Sequence, residues 1–147
     1  MFLGTYLRNI DSKNRAIIPP KLREELGPIF YITFGADKNL ELRSKTQFED
    51  FAQRIQSNNA IDPLIKKYNR YILGNTVEVE LDKIGRFTIT EQHLLPASIK
   101  NEVVFVGVGS HVEMWSSENY TKSQQDFEDE DYLSSLTTEM YKKGIKL

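Results

Sequence analysis

Two five-residue segments of this chain carry side chains that could do chemistry, Asp11-Ser12-Lys13-Asn14-Arg15 and Asp82-Lys83-Ile84-Gly85-Arg86. Each sets a carboxylate and a guanidinium four positions apart with a lysine between them, at a turn between two apolar-patterned segments. An aspartate that opens a tight turn accepts hydrogen bonds from backbone N–H groups two or three residues on, and asparagine or glycine near the end of the turn permits positive φ. Asp11, Asp82 and Gly85 therefore read as turn-forming residues, with Asn14 in the place of the glycine. Each arginine has two open fates. It can fold back on its aspartate as a staple that closes a hairpin, or it can be presented, beside Lys13 or Lys83, as a donor fork for phosphate oxygens or a guanine edge.

The elements around the two segments repeat in order, with Asp11 and Asp82 71 positions apart. An apolar residue precedes each aspartate (Ile10, Leu81), and a β-favouring run follows each arginine (Ala16-Ile17-Ile18, Phe87-Thr88-Ile89). A possible helical turn comes next, Pro19 to Leu26 and Thr90 to Leu95. Then comes a β-rich run ending in glycine, at Gly35 and Gly107. Leu40-Glu41-Leu42-Arg43 then corresponds to Val112-Glu113-Met114-Trp115, and a serine opens a helix at Ser44 and Ser116. By that point the offset is 72, so one residue is inserted. Repetition near half the chain length means duplication. We expect residues 1–56 to be the first repeat, 57–74 a linker helix, 75–128 the second repeat and 129–147 a polar tail, with the two repeats sharing one core.

Helix signals fit this division. Pro20 and Gly27 bracket a helix over Lys21 to Leu26. Ser44 and Gln47 form a capping box, after which Phe48, Phe51, Ala52 and Ile55 fall on one face. Asp62-Pro63 starts another helix, with Leu64, Tyr68, Tyr71 and Ile72 on one face and Gly74 as its stop. Short strands with few long crossovers predict an α+β fold, an antiparallel sheet or small barrel with helices outside. From Glu118 the chain is helix-compatible but polar, with no assigned packing position.

Composition narrows the function classes. A chain of 147 residues buries roughly 70% of its unfolded surface, whereas half-length units would be marginal alone. The absence of cysteine excludes disulfides and thiolate metal sites. No apolar stretch approaches the roughly 18 residues that span a bilayer, so a soluble cytoplasmic protein is expected. The net charge of −2 argues against a polyanionic partner, but the distribution softens this. Asp126, Glu128, Asp129, Glu130 and Asp131 form one acidic run, whereas residues 8–23 hold Arg8, Lys13, Arg15, Lys21 and Arg23 against Asp11 alone, a local charge of +4. His93 and His111, the only histidines, show no metal-ligand or nucleophile spacing and read as surface or structural residues. Trp115, Tyr68 and Tyr71 read as core or subunit interface. No catalytic residue, metal site or cofactor is expected, and an enzyme is the least favoured class.

Residues 1–26, with Gly4, Ile10-Asp11 to Arg15, Pro19, Leu22 and Arg23, resemble the opening of the MraZ family of bacterial transcriptional regulators. Leu73-Gly74 leading to Leu81-Asp82 to Arg86, then Val103 to Gly107 and Glu113-Met114-Trp115, resemble its second copy. The resemblance covers about residues 1 to 120. It implies a double-repeat, swapped-hairpin-like β-barrel related to the AbrB group, assembled into a ring-shaped homo-oligomer on the nucleoid. The implied activity is sequence-specific binding of double-stranded DNA at short direct repeats in the promoter of its own division and cell-wall gene cluster. Arg15 and Arg86 carry over as DNA contacts, with Lys13, Lys83 and Asn14 beside them. Asn14 replaces the usual glycine of the first copy, and Thr90 the frequent proline of the second, which unsettles entry into the following helix. Two other readings stand beside this one, an AbrB-type antitoxin and an oligomeric interaction protein whose Asp–Arg pairs are purely structural.

Overall fold

In the computed structural model, which describes Met1–Leu147, local signals set most element boundaries. The order is β1 (Phe2–Asn9), β2 (Arg15–Ile17), α1 (Pro20–Leu26), β3 (Ile29–Phe34), β4 (Leu40–Ser44), α2 (Lys45–Gln56) and α3 (Pro63–Gly74). It continues with β5 (Val77–Glu80), β6 (Arg86–Thr88), α4 (Glu91–Leu94), β7 (Glu102–Gly109), β8 (Val112–Ser116), α5 (Ser117–Gln124) and α6 (Tyr132–Lys142). Ser44 and Gln47 close the capping box at α2 through reciprocal bonds of 3.3 Å. Asp62 accepts the Leu64 N–H at 2.8 Å to start α3. Satisfying these otherwise orphaned N–H groups is what makes Ser and Asp start signals.

Met1–Ser117 forms one compact unit and Glu118–Leu147 a second. In the first, six strands make an antiparallel sheet in the order β1-β7-β8-β4-β3-β5, and β2 pairs with β6 in a separate ribbon. The expected α+β class is observed, but the sheet is not closed into a barrel. β1 and β5 are its two edges and no ladder joins them. The ribbon packs on the sheet instead, with the Phe87 ring edge-on to Phe30 at 5.3 Å. One buried apolar cluster unites Ala16, Leu22, Phe30 and Leu42 from the first half with Val79, Phe87, Ile89, Phe105 and Met114 from the second.

The pairing is exchanged between the halves. β1 pairs with β7, whereas its counterpart β5 pairs with β3. In the ribbon Ala16 faces Phe87, and in the sheet Glu41 faces Glu113. Each of these pairs is a residue opposite its own copy, which is the signature of an internal two-fold relation. The ladders also refine the alignment. Phe30 pairs with Ser44 as Val103 pairs with Ser116, an offset of 73 at that strand. The halves therefore differ by two adjustments of length rather than one.

The copies diverge where their neighbours differ. β1 runs the full length of β7, so Gly107 meets the β1 backbone, and a Cβ there would lie 2.4 Å from Leu3 N. β5 stops short beside β3, and the counterpart Phe34 instead stacks on Tyr71 at 5.3 Å and meets the edge of His93 at 5.1 Å. Of the expected apolar face of α3, only Ile72 is buried. Leu64 is 77% exposed, and Tyr68 and Tyr71 are about half exposed. Tyr71 and Ile72 lie at the C-terminal end of the helix, where Phe34 of the sheet supplies a partner, and Leu64 lies two turns earlier.

The second unit holds the rest of α5, a 3-10 turn over Gln125–Glu128 and α6. Phe127 packs edge-on to Tyr132 at 4.8 Å within it. The acidic run falls in this unit. Met1–Ser117 alone carries 15 Lys and Arg against 14 Asp and Glu.

Thr90 enters α4 much as Pro19 enters α1. Its φ of −73° matches the proline's −53° closely enough for a proline ring. Its carbonyl accepts the His93 and Leu94 N–H groups, as that of Pro19 accepts those of Leu22 and Arg23. Its hydroxyl is buried without a hydrogen-bond partner. Thr90→Pro removes that orphan and restricts the unfolded chain, so the variant should be stabilised by about 0.5–1 kcal/mol in urea denaturation. A destabilised variant would show that the threonine N–H or methyl contributes more than the orphan hydroxyl costs.

Candidate nucleic-acid interface

The two Asp–Arg turns fold by the same set of bonds. In the first, Asp11 Oδ1 accepts the N–H groups of Lys13 and Arg15, both at 2.9 Å, and Oδ2 accepts Arg15 Nε at 2.7 Å. In the second, Asp82 Oδ1 accepts the N–H groups of Ile84 at 3.0 Å and Arg86 at 2.8 Å, and Oδ2 accepts Arg86 Nε at 2.7 Å. Each aspartate thus orders its turn and holds its arginine at one nitrogen. Asn14 (φ 59°) and Gly85 (φ 85°) both take the left-handed conformation, which asparagine tolerates and glycine adopts freely.

Glycine at 85 has a second cause that the sequence did not disclose. A Cβ there would lie 2.2 Å from Cζ of Arg23, whose Nη2 donates to the Ile18 carbonyl at 2.8 Å. Arg23 therefore lies against the second turn. The first turn meets no equivalent guanidinium, because Leu94 stands at the position equivalent to Arg23 in the second copy, and so it has room for Asn14.

The ribbon joins the turns and gives them a common outer face. Ile18 N donates to the Gly85 carbonyl at 3.0 Å and Ile89 N to the Asn14 carbonyl at 2.8 Å, so each turn is bonded to the strand leaving the other. Strand side chains alternate faces. Ala16 and Phe87 are buried inward, which leaves Arg15, Ile17, Arg86 and Thr88 on the opposite face. Arg15 lies across from Thr88 and Arg86 across from Ile17, a diagonal separation of about 8 Å between Cα atoms by strand geometry. The arginine side chains are 30% and 33% exposed. Their Nη1 and Nη2 groups make no intramolecular hydrogen bond, nor do the exposed ammonium groups of Lys13 and Lys83.

Both aspartates are held below the ordinary value of 3.8. The main cause is the backbone N–H bond from Arg15 to Asp11, and from Arg86 to Asp82, reinforced by the guanidinium bond. The histidines take other places. His93 is fully buried, donates from Nε2 to the Asn75 carbonyl at 2.8 Å and has its pKa lowered by burial. His111 lies beside Ser110 and Glu41. Trp115 is 8% exposed, within the sheet. No helix is long and apolar enough to cross a membrane.

The fold and the turns together define a duplicated α+β domain with strands exchanged between its halves, displaying two equivalent aspartate-ordered arginine turns on one ribbon. The chain matches the family described as "MraZ protein, putative antitoxin-like" over residues 1–70 and again over 72–142, and it belongs to that family. It is 46% identical over 144 residues to the transcriptional regulator MraZ of Mycoplasma mobile, covering 98% of this chain and 99% of the relative. Identity to the protein of the same name from Mesomycoplasma hyopneumoniae is 39%, with the same coverage. For that of Dictyoglomus thermophilum it is 34% over 97% of this chain and all of the relative.

A depressed folded-state pKa means that the carboxylate contribution is present above the unfolded value and lost as pH falls through the folded one. Melting temperature should therefore decline as pH drops below 3.8. The Asp11→Asn/Asp82→Asn double variant should melt lower at pH 7 and decline less steeply. Parallel curves for the two proteins would show that the turns do not depend on ionised aspartate.

Proposed function

We propose that this chain is a transcription regulator that binds double-stranded DNA through the outer face of the β2–β6 ribbon. The observation that carries the reading is that Arg15 and Arg86 share that face with their Nε atoms fixed and their Nη groups free. A guanidinium held at one nitrogen keeps two donors for guanine O6 and N7 or for phosphate, and a two-stranded ribbon fits the major groove. Lys13 and Lys83 supply phosphate contacts, with Asn14 beside the first arginine. The names of the relatives support the regulatory role.

The target is short direct repeats in the promoter of the division and cell-wall gene cluster that holds this gene, and the working assembly is a ring-shaped homo-oligomer on the nucleoid. Direct repeats present identical sites at a fixed interval, and a cyclic oligomer presents identical ribbons, so weak contacts add through effective concentration. Exposed Leu3 and Leu7 on edge strand β1, and Leu64 and Tyr68 on α3, are the kind of apolar surface that such assembly covers. Kinship with the swapped-hairpin proteins of the AbrB group is supported by the exchange of strands. The 15-to-14 balance of Met1–Ser117 removes most of the objection raised by overall charge.

Arg15→Ala and Arg86→Ala should each weaken binding to the upstream fragment by about 1–3 kcal/mol per lost base contact, measured by fluorescence anisotropy. Lys13→Ala should lower the salt slope by about one without changing sequence preference. Melting temperatures should move little. Arginine variants that melt early yet bind normally at low temperature would instead establish the purely structural staple. By light scattering, the chain should elute as a large symmetric oligomer at micromolar concentration, and a monomer there would remove the contribution of avidity.

A further inference from the structure

Glu41 and Glu113 face each other across the β4–β8 ladder, and like charges directly opposite on a sheet repel. Because the pair lies on the internal two-fold, duplication of a single glutamate brings it against its own copy. Each half then supplies one hydrogen-bond donor from the residue two positions on, charged in the first and neutral in the second. Arg43 Nη2 donates to Glu41 Oε1 at 2.9 Å, and its counterpart Trp115 donates from Nε1 to Glu113 Oε1 at 3.0 Å. Both bonds orient a carboxylate while leaving its second oxygen uncommitted to that donor.

His111 completes the group. Its Nδ1 lies 2.9 Å from Ser110 Oγ, and its Nε2 is turned toward Glu41. Glu41 Oε2 lies 3.5 Å from Nε2, within ion-pair range. One ligand atom from each of Glu41, His111 and Glu113 falls within 4.8 Å of the others. In the tautomer that donates Nδ1–H to the Ser110 hydroxyl, the imidazole offers its Nε2 lone pair to the carboxylates, which is the usual arrangement of a metal-binding histidine.

We propose that Glu41, Glu113 and His111 form a three-ligand site for a divalent transition cation of the zinc class, clasping β4 to β8 where the two halves meet. Metal–ligand bonds of about 2.0–2.2 Å put ligand atoms roughly 3.4 Å apart in a tetrahedron, so the side chains close by about 1 Å. The imidazole selects zinc, cobalt or nickel over magnesium and calcium, which take all-oxygen shells. Arg43 leaves the site with one net negative charge when the imidazole is neutral. A cavity of about 250 Å³ lined by Phe34, Tyr71 and Ile72 reaches Glu41. Neither Asp–Arg turn contributes a residue, so the site stands or falls independently of DNA binding.

The test uses the full chain dialysed against chelator and titrated with zinc chloride by calorimetry and by imidazole ¹⁵N NMR. With only two histidines, assignment is direct. One zinc per chain should bind, His111 Nε2 should shift while His93 does not, and saturating zinc should raise the melting temperature by about 4 °C or more. Magnesium chloride should do none of these. His111→Gln should weaken zinc binding at least tenfold. No saturable zinc binding below about 1 mM, an unshifted His111, or undiminished binding by His111→Gln would each overturn the site and leave the cluster as a hydrogen-bonded ion pair. If that variant does not fold, the NMR of the native chain decides alone.

Discussion

Neither half of this chain can complete its own sheet. The first strand of each copy finds its ladder only on the third strand of the other, β1 on β7 and β5 on β3, and the ribbon strands pair only with each other. An unpaired strand strips water from its N–H and C=O groups without replacing those bonds, which is prohibitive in a buried setting. The two copies must therefore fold together. The single apolar cluster follows from this, since Phe30 of one half and Phe87 of the other meet only because the strands have crossed over.

That constraint also shapes the outer face of the ribbon. A ribbon strand has two faces, and the one carrying Ala16 and Phe87 is committed to the core. Arg15 and Arg86 are then on the outside by strand geometry alone. The exchange bonds each turn to the other copy's strand, from Ile18 to Gly85 and from Ile89 to Asn14, so the two arginines are held in a fixed relation. The aspartates act locally within this frame. They satisfy the turn N–H groups and hold one guanidinium nitrogen, and the fold decides where the remaining donors point.

Symmetry is kept where both copies face the same surroundings and lost where they do not. Gly107 lies under the full length of β1 while Phe34 extends past the end of β5. Gly85 lies against Arg23, whose equivalent in the second copy is Leu94. Arg43 and Trp115, unlike in size and charge, perform one task on the paired glutamates.

Much of this was legible in the chain. The repeat, the α+β class, the helix starts at Pro20, Ser44 and Asp62 and the hydrogen-bonding needs of Asp11 and Asp82 all follow from interactions within a few residues, which sequence encodes directly. Relations between distant residues were not legible. Barrel or open sheet depends on whether β1 and β5 meet. The offset at the third strand depends on which backbone groups pair. The space limit at Gly85 depends on Arg23, 62 positions away, and the meeting of Glu41 with Glu113 depends on a ladder between halves. The amino-acid order by itself determined that one pattern occurs twice and what each turn must bond to. Only the tertiary structure decided which strands pair across them, because those energies depend on separations in space that no local pattern records.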